Sequence, residues 1–236
     1  MNNGSSISNR LIYAFKNFID LIYPRLCSNC QDQLSESEKI LCASCKSSLP
    51  ILDYTSQHEI ISSKFFDVNP KYSFCYLFYN KGNITQKLLY SFKYNGQIQV
   101  GEKLGRWFAH QISDYINTSE IDLITPVPLH RSKKRKRGFN QSEILALMLS
   151  EELNIKMTNA LKRLTSTSSQ TKKSRVDRIF NVKDIFEVKN SKNIEGKHIL
   201  IIDDVITTGS TIASCATTLL ENGARAISVA SLAIAR

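Results

Sequence analysis

One segment, residues 199–211 with the sequence ILIIDDVITTGST, constrains the fold more than any other part of the chain. Its first four residues are apolar and predict a short buried strand. Two adjacent acids, Asp203 and Asp204, follow, and a hydroxyl-rich turn then leads into a helix predicted over residues 210–220. Because α/β domains bind ligands at the carboxyl edge of a parallel sheet, this order predicts a binding site where the strand ends.

The turn after the acids has the composition of a phosphate-binding loop. Backbone N–H groups at the start of the helix and neighbouring hydroxyls can donate to phosphate, and Gly209 lets a ligand approach the backbone. The 5′-phosphate candidates are Thr207, Thr208, Gly209, Ser210 and Thr211. Asp203 and Asp204 are the catalytic candidates, because paired carboxylates suit ribose hydroxyls or hydrated Mg²⁺. The alternative is that these residues only cap the turn and the helix.

A second motif, PVPLHRSKKRKRGFNQ at residues 126–141, concentrates positive charge after a short strand. We interpret it as a basic loop that holds diphosphate or a nucleic-acid backbone. The candidate residues for this contact are Arg131, Lys133, Lys134, Arg135 and Arg137. His130 is a candidate general base. A basic loop that is merely solvated remains the alternative.

The overall charge agrees with a polyanionic partner. The chain has 236 residues, with 31 Lys and Arg against 21 Asp and Glu, and its formal net charge is +10. Such a balance favours nucleic acid or phosphorylated metabolites as ligands, although charge also serves solubility alone.

Four cysteines form two CxxC pairs, Cys27 with Cys30 and Cys42 with Cys45. This spacing is typical of a structural, tetrahedral Zn²⁺ site, whereas a redox CxxC needs only one pair. Cysteines at metal spacing also indicate a reducing compartment, so we expect a cytoplasmic protein.

Alternating strand and helix patterns predict an α/β fold with a mostly parallel sheet flanked by helices. Strands are predicted at residues 72–79, 121–127, 199–202 and 227–234, with a further extended segment at 181–188, and helices at 84–92, 101–112, 142–153 and 210–220. Residues 11–26 have amphipathic helical spacing but are too short and too charged for a membrane span. The polar stretch 163–181 is either a lid or a surface loop.

We divide the chain into four parts. These are a tail with the start of the amphipathic helix (1–19), a zinc-binding module (20–52), a linker (53–71) and the main α/β domain (72–236).

The motifs in this order resemble those of the ComF/GntX family, and residues 199–211 resemble the signature of type I phosphoribosyltransferases. The resemblance implies a type I phosphoribosyltransferase fold joined to a zinc module. It also implies that the two acids hold the ribose hydroxyls of 5-phosphoribosyl 1-diphosphate (PRPP) and that the following loop binds its 5′-phosphate. The family's implied role is natural competence, the uptake of single-stranded DNA, with a helicase of the uptake machinery as a partner.

Three functions are therefore kept open. The chain binds PRPP or a related phosphoribosyl ligand with Mg²⁺ in DNA uptake, or it is an active phosphoribosyltransferase that transfers the sugar to a base or amine and releases diphosphate. The third is a regulator that senses PRPP without turnover. Single-stranded DNA binding adds a salt-dependent contact to the basic motif.

Overall fold

The computed structural model describes residues 23–54, 60–61, 63–65, 68–164 and 185–235. Most of the predicted helix at 11–26 and of the stretch 163–181 lies outside these residues. The contacts divide the chain into two compact units, Met1–Leu49 and Pro50–Arg236.

The first unit is built around its cysteines. A short helix, α1 (Ala43–Ser47), begins after Cys42, whose side chain accepts a hydrogen bond from the backbone N–H of Cys45. Among the described residues of this unit, 23–49, four apolar side chains are buried besides the cysteines: Leu34, Ile40, Leu41 and Leu49. Because the cysteines lie among these few buried groups, we expect metal binding to supply much of the stability of this segment.

The second unit contains a four-stranded parallel sheet with the order β1-β6-β5-β2. Its strands are β1 (Ser73–Tyr79), β2 (Leu123–Pro126), β5 (His198–Ile206) and β6 (Ala226–Ala235). A separate antiparallel pair is formed by β3 (Leu161–Arg163) and β4 (Phe186–Val188). All four predicted strands are confirmed, whereas the sequence pattern gave no sign of β3.

The helices of the second unit connect these strands. They are α2 (Ile84–Tyr94), α3 (Ile98–Ile112), α4 (Arg131–Arg137), α5 (Gln141–Leu153) and α6 (Ser210–Glu221). Four of them confirm predicted helices within a few residues. The fifth, α4, occupies the position at which a basic loop was expected.

Helices cover both faces of the sheet, as the sequence predicts. Ile199 and Ile201 of β5 belong to one buried cluster with Ile212 and Leu219 of α6. The alternate side chains of β5 point to the other face, and Leu200 is fully buried there as well. Helix α5 packs against β2 and β5. A sheet buried on both faces explains why β5 reads as a continuous apolar run.

Strand β5 is longer than its apolar run. The sequence predicts a strand that ends at Ile202, yet the strand continues to Ile206. Asp203 pairs with Ser231 of β6, and Ile206 pairs with Ile234. Because β6 offers a partner as far as its own last residues, the backbone of β5 stays extended, and both acids lie within the strand.

Three residues of the predicted linker 53–71 are core residues. Ile61, Phe65 and Val68 are 0%, 4% and 4% exposed and belong to the same buried cluster as α6 and β5. The three have the i, i+4 and i+7 spacing of a helix face, but the apolar stretch is short and interrupted by polar residues, so the sequence predicted a linker there.

We therefore expect Phe65→Ala to destabilise the protein by about 3–5 kcal/mol, because it opens a cavity in this cluster. Ile60→Ala is the matched control, since Ile60 is 38% exposed and its truncation should change the free energy of unfolding by about 0.5 kcal/mol or less. Urea denaturation measures both. An unchanged free energy of unfolding in Phe65→Ala would mean that this stretch is an unpacked connection.

Candidate functional site

The two acids sit near the carboxyl end of β5 and face different neighbours. Ser142, in the first turn of α5, donates a hydrogen bond from its hydroxyl to Oδ1 of Asp203 over 2.9 Å. Nζ of Lys93, near the end of α2, lies 2.7 Å from Oδ2 of Asp204. Each acid therefore meets a different helix.

Asp203 is strongly perturbed. Burial, and then the charge of neighbouring Asp204, raise the pKa of Asp203 to about 7. The hydrogen bonds from Ser142 and from the backbone N–H of Asp204 act in the opposite direction but do not offset them. A carboxyl group that changes charge near neutral pH at the edge of a cavity is typical of functional sites.

The loop after β5 curls beside these acids. Residues 207–209 form a bend, and Gly209 precedes α6 with a positive φ of 79°. A Cβ atom at Gly209 would lie 2.6 Å from the backbone oxygen of Lys64, so a side chain there would meet backbone. Lys64 in turn donates from Nζ to the backbone oxygens of Thr207 and Ala235, over 2.8 and 2.9 Å. Lys64, which is not part of the loop, thus stabilises the bend through its hydrogen bond to Thr207.

The structure does not support the alternative that the acids cap the helix. The N-cap of α6 is Gly209, which has no side chain, and the backbone N–H of Ser210 donates to Oγ1 of Thr208 over 3.4 Å rather than to either acid. The hydroxyls of Thr208 and Ser210 lie 3.0 Å apart, and both residues are exposed. The hydroxyl groups of Thr208 and Ser210 are therefore accessible from solvent, whereas Asp203 accepts a hydrogen bond from Ser142 and Asp204 pairs with Lys93.

A cavity of about 200 Å³, which we call the acid cavity, opens between the two acids and the basic motif. A second, small cavity of about 20 Å³, which we call the loop cavity, lies within the loop 205–212. Both Asp203 and Thr211 line the loop cavity and the acid cavity. Among the described residues, the charged side chains that line the larger cavity are Asp203, Asp204, Lys93, Lys133, Arg137 and Arg163. The wall thus places two acids among four basic residues.

The basic motif forms a helix, and our expectation of a loop was wrong. His130 caps α4 by accepting the backbone N–H of Ser132 at Nδ1, and Gly138 ends it with a φ of 83°. Helical spacing brings Lys133 and Arg137 onto the cavity wall. Arg131, Lys134 and Arg135 do not line this cavity and are exposed. His130, a capping residue, does not line it either.

Sequence reasoning did not find the contributions of Gln141, Arg163 and Lys93. Gln141 is 1% exposed and lines the cavity, and its Oε1 accepts a hydrogen bond from Arg137 over 2.9 Å. Within the described part of the chain, Nε2 of Gln141 has no hydrogen-bond partner. A buried donor without a partner is costly unless a ligand or water satisfies it.

Arg163 reaches the cavity from β3, with its guanidinium 5.3 Å from the centre of the Phe186 ring. Burial lowers the pKa of Arg163, while the nearby carboxylate of Asp203 acts in the opposite direction. An arginine keeps its charge near neutral pH in any protein environment. Arg163 thus brings a partly desolvated positive charge to the wall.

The four cysteines of the first unit come together as their spacing predicts. All four Sγ atoms lie within 4.8 Å of one another. The side-chain amide of Asn29 donates to Sγ of Cys45 over 3.2 Å, and the backbone N–H of Cys42 donates to Sγ of Cys27 over 3.4 Å. Although burial acts against it, hydrogen bonds from backbone N–H groups lower the pKa of Cys27 to about 6. Four converging sulfur atoms that accept hydrogen bonds fit a tetrahedral zinc site.

Known proteins match this chain over most of its length. The family model of the phosphoribosyl transferase domain matches residues 103–236. Competence protein F of Haemophilus influenzae is 31% identical over 213 residues, which cover 88% of this chain and 90% of that protein. The chain belongs to the competence protein F family and carries a phosphoribosyltransferase domain.

Other relatives of the competence protein F family cover less of the chain. DNA utilization protein YhgH of Escherichia coli K12 is 34% identical over 146 residues, or 60% of this chain and 63% of that protein. Among solved structures, that of the allosteric regulatory enzyme of purine biosynthesis is 23% identical and covers 56% of this chain and 25% of its own, with a TM-score of 0.41. No helix in the described residues has the length and apolarity needed to cross a membrane.

The raised pKa of Asp203 leads to an expected dependence of stability on pH. The folded protein holds this proton up to about pH 7, whereas the unfolded chain releases it near pH 4. The folded state therefore binds more protons between these values, so the contribution of Asp203 to stability falls as the pH rises through this window.

Asp203→Asn should remove that loss. At about pH 8 we expect the variant to be more stable than wild type by about 1 kcal/mol or more, which raises Tm by about 2–4 °C per kcal/mol. Near pH 4 the gain should vanish, because wild-type Asp203 is then protonated. Scanning calorimetry at both pH values measures this, with Asp114→Asn as an exposed-acid control. A gain that is equal at both pH values would contradict the assignment.

Removal of one cysteine tests the metal site. Cys30 is exposed, so Cys30→Ser loses little packing, and its main effect should be the loss of bound zinc and of the thermal stability of the first unit. Cys75→Ala, which changes a cysteine in β1, is the control and should keep the zinc. Atomic emission of the purified proteins gives the metal content. Equal zinc in Cys30→Ser and wild type would exclude Cys30 as a ligand.

Proposed function

We propose that this chain binds PRPP or a related phosphoribosyl ligand with Mg²⁺ and acts in natural competence, in the uptake of single-stranded DNA. One observation carries the ligand: two adjacent acids and four basic residues line one cavity, and the hydroxyl-rich loop surrounds a small adjoining cavity that Asp203 also lines. Acids suit sugar hydroxyls, a hydroxyl-rich loop suits a phosphate, and basic residues suit a diphosphate.

Each part of the ligand matches one group of residues in the cavity wall by its hydrogen-bonding and charge. Asp203 and Asp204 accept hydrogen bonds from the ribose hydroxyls. The loop 207–211 lies beside Asp203 and suits the 5′-phosphate, because its N–H groups and hydroxyls are donors. Lys133 and Arg137 face the diphosphate, and Arg131, Lys134 and Arg135 add positive charge further out on α4.

The charge of the wall favours an anion. Lys93, Lys133, Arg137 and Arg163 outnumber the two acids, and the pairing of Lys93 with Asp204 partly neutralises the negative charge of the acids. A ligand with several phosphate charges thus enters a cavity of net positive sign. Gln141 offers its unused Nε2 donor to the same ligand.

The donor set also fits Mg²⁺. This ion prefers oxygen ligands and keeps several waters, so one or two carboxylates together with ligand phosphates are sufficient. Asp203 and Asp204 would hold it through water beside the sugar, and the ion would supply positive charge to the diphosphate. Lys93 pairs with the carboxylate of Asp204 and supplies the opposite charge there.

The role in DNA uptake rests on the relatives and on charge. The relatives named above are a competence protein and a DNA utilization protein. The net charge of +10 favours a polyanion, and six of the seven residues of α4 are basic. A helicase of the uptake machinery is the protein partner that the family suggests.

Isothermal titration of PRPP, with and without Mg²⁺, tests the proposed ligand. We expect wild type to bind only, or much more tightly, with Mg²⁺, and the double variant Asp203→Ala/Asp204→Ala to bind at least about tenfold more weakly, a loss of about 1.4 kcal/mol. Gln141→Leu, which keeps about the size of the side chain but removes both the Nε2 donor and the Oε1 acceptor that orients Arg137, should also weaken binding.

Asp114→Ala is the matched control, because Asp114 is an exposed acid that lines none of these cavities. It should bind PRPP as wild type does. If the double variant binds PRPP as tightly as wild type, the acid cavity is not the phosphoribosyl site. Assay of released diphosphate in the same samples, with bases and amines added, separates binding alone from transfer.

A further inference from the structure

A third cavity, of about 360 Å³, adjoins the acid cavity. It shares Lys93, Asp204 and Val205 with the acid cavity and Thr207 with the loop cavity. The rest of its wall is formed by Tyr79, Gln86, Leu89, Tyr90 and Tyr94. The acid cavity thus continues into a space lined by three tyrosine side chains.

Two of these tyrosines are unusually exposed. Tyr90 and Tyr94 are 58% and 55% exposed, and they lie one turn apart on α2 with their ring centres 5.1 Å apart. Neither ring is needed for the core, which Leu88 and Phe92 of the same helix fill. Exposed aromatic side chains that line a cavity together usually mark a binding surface.

Arg137 joins this aromatic surface to the basic helix. Its guanidinium lies 5.2 Å from the centre of the Tyr94 ring and donates a hydrogen bond to the Tyr94 hydroxyl over 3.3 Å. The other basic residues of α4 are exposed: Arg131, Lys133, Lys134, Arg135 and Lys136. Stackable rings therefore lie directly beside a run of positive charge.

Aromatic side chains next to a basic track are the arrangement by which proteins hold single strands. Each base stacks on a ring through its flat face, and the phosphates contact the cations. In a duplex the faces of the bases are covered by their neighbours, so an aromatic cavity of this kind admits an unpaired base.

We propose that the cavity of Tyr90 and Tyr94 receives an unpaired base of a single-stranded nucleic acid, whose phosphates lie along α4. This inference rests on the DNA-binding part of the proposed function and assigns residues to it. The site needs no Mg²⁺, and it places the strand next to the phosphoribosyl cavity across Lys93.

Fluorescence anisotropy of the full chain with labelled oligothymidine tests the inference. The oligonucleotide should have about 15 nucleotides, within the usual site size. Tyr90→Ala and Tyr94→Ala should each weaken its binding by about tenfold, since stacking is lost. Tyr90→Phe keeps a flat ring and should bind within about twofold of wild type.

An abasic oligonucleotide of the same length separates stacking from charge. It keeps the phosphates but has no bases, so Tyr90→Ala should bind it as wild type does. Tyr115→Ala is the control on the protein side, because Tyr115 is also exposed, by 47%, and stacks on Tyr54 away from these cavities. It should bind oligothymidine as wild type does.

The outcomes distinguish this inference from the proposed function. Wild-type affinity for oligothymidine in both alanine variants would overturn the stacking site but leave DNA binding intact. No DNA binding by wild type at low salt would overturn both the inference and the proposed DNA contact, while the PRPP titration would still stand by itself. Diphosphate release from PRPP and a free base, lost in Tyr90→Ala, would make the cavity an acceptor-base pocket and also overturn the inference.

Discussion

Parallel pairing of β5 between β2 and β6 is the constraint on which the site depends. Pairing with β6 keeps the backbone extended as far as Ile206, beyond the apolar residues that begin the strand. Asp203 and Asp204 are therefore held by the sheet, not by a loop. The position is partly desolvated, and the pKa of Asp203 rises to about 7 as a result. Rigid placement and an unusual charge state thus have the same origin.

The rest of the site converges on this strand from distant parts of the sequence. Lys93 comes from α2, Arg137 and Ser142 from either side of the α4–α5 junction, and Arg163 from β3. They meet because the carboxyl ends of parallel strands share one edge of the sheet. An acid pair without these partners would repel itself. With these basic partners, the two acids lie in a cavity whose wall carries more positive than negative side chains.

Sequence patterns predicted the parallel sheet, four of its helices and the cysteine cluster, because each depends on local periodicity or spacing. They also located the acids and the loop, since both follow a buried strand directly. They did not predict that α4 is helical, because a run of charged residues has no apolar face to show its period. Gln141 and Lys93 were not assigned roles, since only tertiary contacts decide whether a buried amide lacks a partner or a lysine finds a carboxylate. The tyrosines of α2 had helical spacing, but the pattern could not tell exposed rings from core ones.

Lys64 has a consequence for how this domain can be divided. It fastens the bend after β5 to the end of β6, from a position 143 residues before Thr207. The region that matches the phosphoribosyl transferase family begins only at residue 103. A fragment with those boundaries would retain every acid and hydroxyl of the loop but not the clasp that shapes it. In this protein the region that matches the family is therefore shorter than the length of chain that holds the bend after β5 in place.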